Sequence, residues 1–177
     1  MVTHTRNTDP NFWSKTRTDC NCGSFALNLR EWYRPYEMYY SYDDRANRIV
    51  ELAHEGLSDV EVADVLVEEE AGYMLEEFPE LLTPISYEEV LKAGPEVEII
   101  AYRVGVEFFY DPEEICDSDD FDDDFHFKVR RGGQWLEKRG ETAVRECELL
   151  PTEIWERNNG IYNSKIIYFK VDRSKEQ

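Results

Sequence analysis

The first regular pattern of apolar positions lies directly behind a pair of cysteines. After Gly23, apolar residues recur at the spacing of one helix face, at Phe25, Ala26, Leu29 and Trp32. This spacing predicts a helix over residues 23–32. Pro35 is expected to end it, because proline cannot continue a helix.

The segment 43–92 keeps the helical period and is predicted to be a helical insertion. Its first apolar stripe is broken by the sequence HEGLSD. Two later helix starts are marked by a serine with a glutamate three residues on, which is the spacing of a capping box: Ser58 with Glu61, and Ser86 with Glu89. The last of these helices is expected to stop at Gly94 and Pro95.

The second half changes to β-branched and aromatic residues. The stretches VEIIAYRVGVEFFY and SKIIYFKVD predict strands, and FHFKVRRGGQWLEKRG predicts a hairpin that turns at Gly132 and Gly133. Helices followed by antiparallel strands predict an α+β domain. We find no linker, so residues 1–177 are expected to form a single domain.

The charge of the chain limits its partners. A net charge of −19 over 177 residues repels nucleic acid and anionic membranes and attracts basic proteins. Solubility or adaptation to salt explains the same acidity without any partner. No stretch is apolar enough to span a bilayer and the N-terminus lacks signal-peptide features, so a cytoplasmic location is expected, in the host cytoplasm if a phage encodes the protein.

An acidic run occupies residues 111–124, where nine of fourteen residues are Asp or Glu. Such a run predicts a solvated loop. The alternative is a divalent cation site, since carboxylates suit calcium or magnesium, but the glycine of a calcium-binding loop is missing. We therefore expect no metal here and no cofactor.

The pair Cys20 and Cys22 allows three kinds of chemistry. Zinc sites and redox motifs both use wider cysteine spacings, and the remaining cysteines, Cys116 and Cys147, form no second close pair. A nucleophile fits better, because Cys22 precedes Gly23 and a predicted helix. The free amides at a helix start stabilise a thiolate, and those of Cys22 and Gly23 are placed to hold an oxyanion.

A cysteine nucleophile needs a base, and His126 is the candidate. It lies between Phe125 and Phe127 at the start of a predicted strand. Strand alternation then places it on the face opposite both phenylalanines. The alternative is a histidine on the surface of the sheet without a catalytic role.

These motifs carry a resemblance to a known family. NCGSFAL is similar to the cysteine motif of papain-like and NlpC-type cysteine peptidases, where the cysteine begins a helix and the histidine follows on a strand. EIIAYRV, DDFHFKVRRGGQWLEKRG and IIYFKV resemble uncharacterised phage and bacterial proteins of that arrangement. The resemblance covers residues 18–32 and 96–172. It implies a papain-like fold, with N-terminal helices, the first carrying the cysteine, packed on a C-terminal antiparallel sheet.

The resemblance also implies roles for single residues. Cys22 matches the nucleophile and His126 the base, while Glu137 stands where similar sequences often have a histidine that orients the base. A glutamate can do this by accepting a hydrogen bond from the imidazole, or it can pair with a nearby Lys or Arg. Asn21 is a candidate for a further oxyanion contact. Cys20 is then a bystander, and Trp135 a core residue.

Two functions follow. The first is a cysteine hydrolase, a peptidase, amidase or acyl-transfer enzyme, whose substrate is a protein or peptide. The second is an inactive acidic protein that mimics nucleic acid and binds a basic host protein, such as a defence component. Its contact surface would be residues 68–70 and the aspartates of the acidic run: Asp117, Asp119, Asp120, Asp122, Asp123 and Asp124.

Overall fold

A computed structural model describes residues 3–148, 154–157 and 160–176 of the chain. The described part is an α+β domain, as predicted. Its four α-helices are α1 (Cys22–Leu27), α2 (Tyr42–His54), α3 (Asp59–Glu77) and α4 (Tyr87–Lys92). Within this part, no helix combines the length and the apolar character that crossing a membrane would require.

The strands follow mainly in the second half of the chain. They are β1 (Leu82–Ile85), β2 (Glu98–Phe108), β3 (Phe121–Arg131), β4 (Gln134–Lys138), β5 (Val144–Glu146), β6 (Trp155–Arg157), β7 (Gly160–Tyr162) and β8 (Ile167–Val171). Six of them form an antiparallel sheet in the order β1-β8-β2-β3-β4-β5, while β6 and β7 pair with each other. The predicted hairpin is β3–β4, where Gly132 and Gly133 both take positive φ values.

The two faces of strand β3 meet different surroundings. Phe127 and Val129 belong to the main apolar core, which also takes in residues of α1, α2 and α3. His126 lies on the opposite face, where its ring contacts the rings of Trp155 and Tyr162. The alternation predicted around His126 is therefore confirmed, and the β6–β7 hairpin covers the side of the sheet on which the imidazole lies.

Three predicted boundaries were wrong. Helix α1 ends at Leu27, well before Pro35, because Asn28 takes a left-handed conformation with φ of 57°. The Asn28 side chain accepts a hydrogen bond from Trp13 Nε1 at 2.9 Å, which holds this early end in place. The helical segment also contains a strand, β1, which lies at the edge of the sheet among the described residues, beside β8, and so tolerates Pro84.

The third boundary concerns the acidic run. The predicted loop 111–124 ends before Phe121, where β3 begins. Asp122, Asp123 and Asp124 are strand residues that pair in register with β2. Only the part of the run before Phe121 connects the two strands, and it includes a short 3-10 helix at Pro112–Glu114.

Candidate active site

Cys22 is the first residue of α1, and a local hydrogen-bond pattern fixes that start. Asn21 caps the helix by accepting a hydrogen bond from the Ser24 amide at 3.0 Å, and Ser24 Oγ accepts one from the Asn21 amide at 3.1 Å. Gly23 is required for close packing, because a Cβ there would lie 2.8 Å from Tyr33 Cδ1. The absence of a side chain at Gly23 therefore leaves room for the rings of Tyr33 and Phe127.

The Asn21 side chain is already occupied by this capping arrangement. Its Oδ1 also accepts from the Tyr33 amide at 3.2 Å, and its Nδ2 donates to the Tyr33 carbonyl at 2.7 Å. These bonds tie the start of α1 to the segment that follows it. An oxyanion contact from Asn21, or from the Gly23 amide, stays a prediction.

His126 and Glu137 meet across the β3–β4 hairpin. The strand register sets Glu137 opposite Lys128, which lies on the same face of β3 as His126. His126 Nε2 is 2.8 Å from Glu137 Oε2, and both side chains are almost completely buried. The two residues that the sequence paired as base and orienting group are thus in direct contact.

Two arginines hold Glu137 in its ionised form. Arg145 donates to Glu137 Oε1 from Nε at 2.9 Å and from Nη2 at 2.6 Å, and Arg139 Nε lies 3.4 Å from the same oxygen. Burial by itself raises the pKa of Glu137, but the hydrogen bonds from His126 and Arg145 and the charge of Arg139 lower it to about 2. Both interpretations of Glu137, as histidine partner and as ion-pair partner, apply together.

The charge on Glu137 fixes the tautomer of His126. An ionised carboxylate can only accept hydrogen bonds, so Nε2 must carry a proton. In the neutral imidazole, Nδ1 is then the basic nitrogen. A proton taken by His126 from another group has to arrive at Nδ1.

Cys22 and His126 line one cavity of about 700 Å³. Glu137 does not line it and lies behind the imidazole. The remaining wall combines aromatic rings with charged groups of both signs. The cavity is also lined by Asn21, Phe125 and the short segment 140–142. The aromatic and charged residues of the wall are Trp32, Arg34, Tyr36, Tyr42, Arg45, Asp122, Asp123, Asp124, Arg139, Glu156, Arg157 and Tyr162.

The Cys22 thiol is neutral in this cavity, contrary to the thiolate that the helix start predicted. Burial raises its pKa to about 12, and the charge of Asp124 acts in the same direction. The amides of Phe127, Gly23 and Cys22 lower the pKa, but they do not offset the loss of hydration around a residue that is only 5% exposed. Attack by Cys22 therefore requires that a base removes the proton.

Sequence reasoning missed Tyr162 and Asp124 as parts of this site. The Tyr162 ring stacks on the His126 ring with centroids 5.3 Å apart, and its hydroxyl donates to Asp124 Oδ2 at 2.8 Å. Tyr162 belongs to β7, far from His126 along the chain, and no motif marked it. Asp124 was assigned only to the acidic surface, since its place in β3 was not foreseen.

The predicted acidic surface is divided by the structure. Asp117 and Asp119 are exposed in the loop and Asp120 is half-buried there. The other three aspartates lie in β3 at the cavity, where Asp122 pairs with Arg157 and Asp123 with Arg45. Of the other predicted surface residues, 68–70, Glu68 is exposed, but Glu70 is buried and pairs with Arg45, so only part of that surface is open to a basic partner.

The remaining predicted residues lie away from the cavity chemistry. Cys20 is completely buried, with its sulfur 3.9 Å from the Leu29 carbonyl oxygen. Trp135 is partly buried and packs against the smaller apolar cluster around Trp155. Among the described residues, no group of three or more His, Cys, Asp or Glu side chains is arranged to hold a metal ion.

Comparison of the chain with protein families, with curated proteins and with solved structures found no match.

Proposed function

We propose that this protein is a cysteine hydrolase of papain-like arrangement that acts on amide or related acyl bonds. One observation carries the proposal: a cysteine at a helix start and a histidine oriented by an ionised glutamate line the same cavity. A nucleophile, a base and a group that orients the base are the parts that acyl transfer through a thioester needs.

The first half of the reaction forms the thioester. Cys22 Sγ attacks the substrate carbonyl carbon while its proton passes to His126 Nδ1, and the carbonyl oxygen becomes an oxyanion. The amides of Cys22 and Gly23, which already lie beside the sulfur, are the proposed donors to that oxyanion. The C–N bond then breaks, and His126 returns the proton to the leaving amine.

The second half releases the acid. Water attacks the thioester carbon, His126 Nδ1 takes a proton from the water, and the C–S bond breaks. Cys22 regains the proton and the free thiol is restored. Glu137 keeps its charge throughout and stabilises the imidazolium that forms in each half, as its contact with Nε2 allows.

Since the resting thiol is neutral, the proposal is for general-base catalysis and not for a preformed thiolate–imidazolium pair. The proton leaves the sulfur only as the bond to carbon forms. The burial of Cys22 is the reason that the thiol stays protonated until it attacks.

The experiment uses the full chain and a mixture of synthetic peptides of varied sequence, with cleavage read by mass spectrometry. Cys22→Ala is expected to abolish all cleavage, while Cys116→Ala, which removes an exposed thiol from the loop before β3, keeps it. Circular dichroism checks that both variants fold. Cleavage that persists in Cys22→Ala, or a wild type that cleaves none of the peptides, would contradict a peptidase.

A further inference from the structure

The three consecutive aspartates of β3 differ in how their charges are balanced. Asp122 is paired with Arg157 and Asp123 with Arg45. Asp124 accepts hydrogen bonds from the Tyr162 hydroxyl and from the Phe125 amide, both at 2.8 Å. Within the described ranges of the chain, no Lys, Arg or His lies within ion-pair distance of it. Asp124 is therefore a carboxylate without a cation.

Tyr162 fixes where this carboxylate lies. Its hydroxyl binds Asp124 while its ring stacks on His126, and all three residues line the cavity that contains Cys22. The charge of Asp124 also acts on the Cys22 sulfur. Asp124 is half-buried, so a cation bound to it would be shielded from part of the solvent.

The arginines of the cavity wall do not compensate for Asp124. Besides Arg45 and Arg157, the wall contains two more arginines. Arg34 Nη1 lies 3.6 Å from Glu37 Oε1, and Arg139 Nε lies 3.4 Å from Glu137 Oε1. Each of these four arginines thus already lies beside a carboxylate other than Asp124, with Glu137 shared between Arg139 and Arg145. Asp124 is left as an uncompensated negative charge next to the nucleophile.

We infer that Asp124 selects substrates that carry a cationic side chain, that of lysine or arginine, beside the carbonyl that Cys22 attacks. This inference rests on the proposed function and adds a substrate class to it. A cation held by a partly buried carboxylate is expected to raise kcat/KM roughly 10- to 100-fold over a neutral side chain of the same length.

The test uses 4-nitrophenyl esters of Nα-acetyl-lysine, Nα-acetyl-norleucine and Nα-acetyl-glutamate, which share one reacting group. Norleucine matches the lysine chain without its charge. Release of nitrophenol is measured for wild type, Asp124→Asn, Asp119→Asn and Cys22→Ala. Asp119→Asn removes one exposed acidic charge outside the cavity, so it controls for the overall field of a chain with net charge −19.

The inference predicts that wild type and Asp119→Asn prefer the lysine ester over the norleucine ester by at least about 10-fold. Asp124→Asn should lower the ratio of the lysine rate to the norleucine rate to about 1, whatever the substitution does to the norleucine rate itself. A wild type without this preference, or an Asp124→Asn variant that keeps it, overturns the inference and leaves the proposed function standing if Cys22→Ala is inactive. Ester hydrolysis that does not depend on Cys22 overturns both.

Discussion

Replacing Glu137 by Gln tests the charge network behind His126. Gln keeps the shape of the side chain and can still accept a hydrogen bond from His126 Nε2, but it removes the negative charge. A pKa of about 2 in the folded protein, against the ordinary value of 4.5, corresponds to roughly 3 kcal/mol in favour of the charged form. The side chains of Arg145 and Arg139 are 52% and 40% exposed, so water can hydrate both guanidinium groups in the variant. Glu137→Gln is therefore expected to lower the free energy of unfolding by about 3 kcal/mol at pH 7.

The size of this effect depends on pH in a defined direction. The pKa of Glu137 is depressed by folding, so its stabilisation is complete above the unfolded-state value of 4.5 and is lost as pH falls toward 2. The difference between wild type and Glu137→Gln should fall to about two-fifths of its pH 7 size at pH 3.

The assay is urea denaturation followed by tryptophan fluorescence at pH 7, 5 and 3. Glu146→Gln is the matched control, because it removes the same charge from an exposed position on β5. We expect it to change the free energy of unfolding by less than about 0.5 kcal/mol. A Glu137→Gln effect below about 1 kcal/mol at pH 7, or one that stays constant down to pH 3, would show that the charge of Glu137 does not stabilise the fold.

Two further predictions concern the start of α1. Gly23→Ala should lower the free energy of unfolding by about 1–3 kcal/mol in the same assay, because the added Cβ would lie 2.8 Å from the Tyr33 ring. The control is Gly72→Ala, on the exposed side of α3 with open space around it. This substitution should leave the free energy of unfolding unchanged or raise it. Equal effects of the two substitutions would contradict this packing. The rate of Cys22 alkylation by iodoacetamide should keep rising from pH 7 to pH 10, because burial raises the pKa of this thiol to about 12. A rate that levels off below pH 8 in the mass-spectrometric measurement, with the exposed Cys116 as internal reference, would instead indicate a preformed thiolate.

Local patterns predicted the parts of the fold that short-range physics decides. The serine caps at Ser58 and Ser86 form as their spacing to a glutamate predicts. The alternation of β3 placed His126 on the face opposite its neighbouring phenylalanines, and the register of the hairpin brought Glu137 to it. The alternation of side chains along a strand is enough to predict where His126 and Glu137 lie.

Predictions that depend on distant residues were wrong. The row Asp122 to Asp124 resembles a loop because strands disfavour Asp, yet arginines from α2 and β6 pair with two of these carboxylates. The end of α1 at Asn28 depends on a contact with Trp13. The thiolate predicted at Cys22 failed for the same reason, since the loss of hydration comes from the whole fold around the sulfur.

The central claim is that Cys22 is a nucleophile whose proton is taken by His126. The most direct measurement is the acetylation of the protein by 4-nitrophenyl acetate, with the modified residue located and its rate followed by mass spectrometry. We expect an acetyl thioester on Cys22 that forms roughly 10²- to 10⁴-fold more slowly in a folded His126→Asn variant. Acetylation at another residue, or the same rate at Cys22 with and without His126, would contradict it.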